Sequence, residues 1–101
     1  MTSFGRLQAW FVGQCDGDWE HGGGITISSL DNPGWQVDIA LVDTYLEGRE
    51  FHKVHRNLSD SDWLHVSRTP TEFKIRCSPN NLDEGLGIFC DWADSKPIEG
   101  E

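Results

Sequence analysis

The sequence is short of several things, and each shortage closes off a class of protein. Only three cysteines, Cys15, Cys77 and Cys90, are spread over 101 residues, with no Cys-x-x-Cys pair among them. An odd, sparse set of this kind argues against a disulfide framework and against a structural zinc site. No stretch approaches the roughly eighteen apolar residues that a membrane span needs, so no membrane partner is expected. Met1 to Arg6 lacks a basic segment leading into a long apolar run, so no signal peptide is expected either. Basic residues are scarce: eight Lys and Arg stand against seventeen Asp and Glu, for a net charge of −9. Such a chain repels phosphates, which makes nucleic acid an unexpected partner. The expected compartment is the reducing cytoplasm, where unpaired thiols persist.

What is present is aromatic and acidic. Five Trp and five Phe within a 37% apolar composition supply one compact interior, and a chain this short has no room for a second. One domain over residues 1–101 is therefore expected, its acidic tail, 97–101, frayed. Charge is unevenly placed. Residues 1–47 carry one Arg against seven acids, residues 48–78 six basic residues against four acids, and residues 79–101 one Lys against six acids. Acidic flanks attract a cationic surface and speed encounter with it, although the same charge also serves solubility alone.

Periodicity sets the expected elements. Ser3 is placed to cap a helix reaching about Gln14, with Phe4, Leu7, Trp10 and Phe11 on one face. From Ile25 the period becomes two: Ile25 and Ile27, then Trp35, Val37, Ile39 and Leu41, alternate with small or polar residues. Between them Asp31-Asn32-Pro33-Gly34 predicts a type II turn, with Pro33 at its first central position and Gly34 accepting positive φ. Segments near Phe51–His55 and Trp63–Val66 read as strands without clean alternation, separated by the polar run Asn57–Asp62, which suits edge strands or irregular chain. Thr71–Cys77 alternates better, Phe73, Ile75 and Cys77 opposing Lys74 and Arg76. Asn81 with Glu84 three residues on forms a capping-box-like start to a helix ending near Asp94, whose apolar face is Leu82, Leu86, Phe89, Cys90 and Ala93. Gly85 and Gly87 weaken that helix, so packing must compensate. Cys77 and Cys90 read as small buried hydrophobes. The expected fold is α+β in two layers: an antiparallel β-meander of four to five strands with an N-terminal and a C-terminal helix on one face.

The run Cys15-Asp16-Gly17-Asp18-Trp19-Glu20-His21 concentrates a thiol, three carboxylates and an imidazole. Four readings compete. A calcium loop starting at Asp16 would need Gly where His21 stands and Glu where Ile27 stands, so that template fails. Nucleophilic catalysis by Cys15 with His21 as base meets three carboxylates that oppose a thiolate. Gly22-Gly23-Gly24 lacks the ending of a phosphate-binding loop. A structural reading makes the run a turn with Trp19 in the core and the acids on loop amides. A recognition reading displays the carboxylates to a basic partner, with Trp35 nearby as an aromatic anchor. The last two remain open together.

The same residues carry a family resemblance. Leu7-Gln8-Ala9-Trp10-Phe11, Gln14 through His21, Gly24-Ile25, and Leu30-Asp31-Asn32-Pro33-Gly34-Trp35 resemble the immunity protein 53 family of bacterial polymorphic toxin systems. Pro79-Asn80-Asn81-Leu82, with Phe89 and Trp92, is similar to that family's C-terminal helix. Residues 43–70 match loosely. Arg76-Cys77-Ser78 depart from the pattern, which tends to place glycines before the Pro-x-Asn-Leu. The resemblance implies an antitoxin that binds a cognate toxin domain and blocks it. The expected partner-contacting residues are then Asp16, Asp18, Glu20, His21, Asp31 and Trp35, with Trp10, Cys15, Gly17, Trp19, Pro33 and Gly34 shaping the fold. No catalytic residue, metal or cofactor is expected, and the acidic balance suits a toxin with a basic surface, such as a nuclease. The alternative is a small enzyme or metal-binding module using Cys15 and His21. Nothing in the sequence sets an oligomeric state.

Overall fold

The computed structural model describes residues 2–95; the expectation for residues 97–101 lies outside them. Helix α1 (Ser3–Gln14) is followed by a single turn, α2 (Trp19–Gly22), then the hairpin β1 (Ile25–Leu30) and β2 (Gly34–Ala40). Strands β3 (Val54–Ser59), β4 (Asp62–Arg68) and β5 (Glu72–Cys77) lead to α3 (Leu82–Asp94). No helix among the described residues is long and apolar enough to cross a membrane.

The expected α+β architecture is present: five antiparallel strands in one open sheet, with the terminal helices. The strand order is not sequential, however. It runs β1-β2-β5-β4-β3, so β5 enters between β2 and β4 and β3 becomes the far edge. Register places Val37 opposite Ile75, Ile39 opposite Phe73, Leu64 opposite Cys77 and Val66 opposite Ile75. All of these are fully buried on one face. Leu86, Phe89 and Cys90 of α3 close over them, and Leu7 brings α1 into the same core. The opposite face presents Gln36, Asp38, Lys74, Arg76, His65 and Ser67, none of them buried.

Backbone approach explains two glycines. A Cβ on Gly85 would stand 2.8 Å from Ile75 Cγ2, so α3 can lie close on β5 only because that position is bare. Gly34 is the first residue of β2, not a turn residue, and does not have positive φ. A Cβ there would run into the Cys77 carbonyl oxygen of β5. The expected type II turn is corrected accordingly: Leu30 pairs with Gly34, leaving the three-residue loop Asp31–Pro33 with a cis Asn32–Pro33 peptide.

Both expected caps also differ. Thr2, in extended conformation, caps α1 by accepting the Gly5 N–H at 3.0 Å, while Ser3 is already helical. Asn81 precedes α3 but its side chain caps no backbone donor. Its Oδ1 takes the Ser78 hydroxyl and its amide donates to Glu84 at 3.0 Å. The strand expected at Phe51–His55 starts instead at Val54 and continues through the polar residues to Ser59. Its inward positions are Val54, which packs on the core, and Arg56, whose guanidinium reaches Glu84 of α3 at 2.7 Å. The loop from Leu41 to Lys53 is held by Arg68, which donates to the carbonyls of Leu46, Glu47 and Arg49.

Candidate functional site

The corner between α1 and β1 is built from its own acids. Gly17 adopts φ 97, which a side chain would resist. That reversal lets Asp16 Oδ1 accept the N–H groups of Asp18 and Trp19 at 2.9 and 3.1 Å. Glu20 reaches back to the N–H groups of Asp16 and Gly17 at 3.0 and 2.9 Å. Backbone donation from Trp19 and then Asp18 lowers the Asp16 pKa, and donation from its own N–H, with Asp16 and Gly17, lowers that of Glu20. Trp19 is buried, its ring edge-on to Trp10 at 5.5 Å and its indole N–H donating to the Ala40 carbonyl at 3.1 Å. The carboxylates of Asp16 and Glu20 thus hold the loop, whereas Asp18 and His21 stand exposed on it.

The expected contact residues fall into two groups. Asp18, Trp19 and Gly22 face Ala40, Val42 and Asp43 across a notch of about 120 Å³. Asp43 was not singled out in the sequence. Its positive φ of 67, a conformation that Asp tolerates better than most residues, is what turns it toward the corner. Asp31 and Trp35 lie at the other end of β2, about 17 Å away at strand rise from Trp35 to Ala40. Asp31 is exposed in the hairpin loop. Trp35 is half-buried, and its indole N–H donates to the Pro79 carbonyl at 3.0 Å.

Charge pairing is lopsided. Arg6 pairs with Asp91 and Asp94, Arg56 with Asp62 and Glu84, and Lys74 and Arg76 converge on Asp38. Arg68 and Arg49 are spent on backbone carbonyls. Five of the six cations of the middle segment are therefore engaged within the fold, and Lys53 alone of them stands exposed with no ion pair among the described residues. Asp16, Asp18, Glu20, Asp31, Asp43 and Glu47 have no basic partner among the described residues.

Covalent chemistry finds little support at the corner. Cys15 is exposed, its thiol donates to the Phe11 carbonyl at 3.3 Å, and desolvation followed by Glu20 and Asp16 pushes its pKa up. That opposes thiolate formation. Burial pushes Cys77 up to about 11. Among the described residues, no three His, Cys, Asp or Glu side chains are grouped to hold a metal. A feature absent from the sequence reading lies on the open sheet face. His55 and His65 stack at 4.1 Å, Asn57 bridges both Nε2 atoms, and Trp63 leans on His65 at 5.3 Å. The strand register that creates this cluster is the signal needed to find it.

No curated protein and no solved structure matches this chain. The family model of immunity protein 53 does, over residues 4–94, taking in the acid-built corner, the hairpin with Trp35 and nearly all of both terminal helices, and the chain belongs to that family.

Proposed function

We propose that this immunity-family chain acts in the cytoplasm by binding a cognate toxin domain through its acidic surface, with the notch between Asp18 and Asp43 as a principal contact. The observation that carries the reading is the unequal pairing of charge. Among the described residues every cation but Lys53 is engaged by an acid or a carbonyl, while Asp16, Asp18, Glu20, Asp31, Asp43 and Glu47 have no basic partner. Asp18 makes no hydrogen bond through its side chain among the described residues and is free to meet Arg or Lys. A partner chosen by this surface carries a basic one, as nucleases do in the groove that holds their substrate. Blocking that groove needs no catalytic group on the inhibitor.

The test separates contact from scaffold. Asp16 and Glu20 are poor probes, since their loss would unlatch the loop. Asp18→Lys combined with Asp43→Asn alters the notch while keeping at position 43 a residue that accepts positive φ. With the toxin domain encoded by the adjoining reading frame, this double variant is expected to bind at least about tenfold more weakly, as loss of one or two charge-assisted contacts implies. Unchanged affinity in a folded double variant would remove the notch from the interface.

A further inference from the structure

The two groups of exposed acids are separated by the length of one β-strand, and the strand that joins them is open. Strand β1 is an edge of the sheet. Gly24 O accepts the Ala40 N–H at 2.8 Å, and the register continues unbroken from Ile25 opposite Ile39 to Leu30 opposite Gly34. Bonded positions alternate in an antiparallel ladder, so Thr26, Ser28 and Leu30 bond toward β2. The N–H and C=O groups of Ile25, Ile27 and Ser29 therefore point outward, with no partner among the described residues.

Edges of this kind are normally blunted by charge, proline or a bulge. The opposite edge is: β3 carries Arg56 and a register shift between Asn57 and Ser59. In β1, Ile-Thr-Ile-Ser-Ser-Leu has no charge, no proline and no bulge, and four of its six residues are exposed. Ile27, 37% exposed, shares the core-facing side with half-buried Ile25, so the apolar layer is left unfinished at this edge.

We infer that β1 is a docking edge to which an extended segment of the toxin adds as a sixth strand. The inference rests on the toxin-binding reading and specifies its geometry. Charge selects the occupant. The edge begins beside the corner of Asp16, Asp18 and Glu20 and ends at Asp31, so the incoming strand carries a basic residue at each end. Between them, apolar residues at alternate positions lie beside Ile25 and Ile27. A second copy of this chain would bring the same acids against each other, which costs binding energy and disfavours that occupant. Main-chain bonds supply affinity in such an arrangement, and the alternating side chains and terminal charges supply selectivity.

The experiment uses the full chain and the toxin domain of the adjoining reading frame. The Ile27 N–H points away from β2, so Ile27→Pro removes an outward donor without breaking the existing ladder. Ile27→Lys gives a second route by charging the edge, and Leu58→Lys on β3 serves as the opposite-edge control. The two Ile27 variants are expected to weaken binding at least about tenfold, with the control unchanged. Hydrogen exchange at the amides of Ile25, Ile27 and Ser29 is expected to slow on adding toxin. Toxin binding by the wild-type chain with both Ile27 variants unaffected would overturn the docking edge while sparing the toxin-binding reading. Failure of the wild-type chain to bind would remove both. Protection of the same amides without toxin, rising with protein concentration, would assign the edge to a second copy and also overturn the proposal.

Discussion

At the scale of single residues, close approach decides more than intrinsic conformational preference. Gly34 looks like a turn glycine in Asp31-Asn32-Pro33-Gly34, yet its role is to leave room for the Cys77 carbonyl where β2 meets β5. Gly34→Ala is accordingly expected to lower stability by about 1–3 kcal/mol, the usual cost of overpacking. Gly48→Ala, with nothing within 4 Å of the added methyl, should leave the urea midpoint nearly unchanged. Equal midpoints for the two variants would show that β5 yields at this contact. The carboxylates of the corner divide on the same basis. The sequence shows three acids in five positions, and only the coordinates separate Asp16 and Glu20, which bind loop amides, from Asp18, which does not.

At the scale of elements, legibility followed burial. The helices and strands β2 and β5 are readable because their inward residues repeat with one period, as Val37 and Ile39 or Phe73, Ile75 and Cys77 do. Strand β3 is not, because its inward positions hold Val54 and then a charged Arg56, and its outward ones His55 and Asn57. Strand order was equally out of reach, since pairing β5 with β2 depends on contacts distant in sequence that no local pattern records. Arg56 supplies a test of how β3 is attached. Its guanidinium, and after it the Asn81 amide, push Glu84 down to about 2 from its ordinary value of 4.5. Since the folded value is depressed, the stabilisation is present above pH 4.5 and is lost as pH falls through about 2. Glu84→Gln should be less stable than wild type at neutral pH, and the difference should shrink as acid is added across that window. A difference in urea midpoint that holds constant with pH would place the stabilisation elsewhere.

At the scale of the whole molecule, charge and topology act together. The sheet buries one face under the helices, and the basic middle segment, Lys53 apart, is spent on ion pairs and loop carbonyls. Carboxylates consequently dominate what is left to meet a partner, at the corner, in the hairpin loop and at Asp43. On the proposed reading that surface meets the toxin, and long-range attraction speeds the search for it. The most direct measurement is the association rate of the wild-type chain with a toxin domain from an adjoining reading frame as salt is raised. Screening shortens from about 30 Å at 0.01 M to about 3 Å at 1 M ionic strength. Attraction by the acidic surface predicts a steep fall in that rate over this range; a rate that stays level would contradict it.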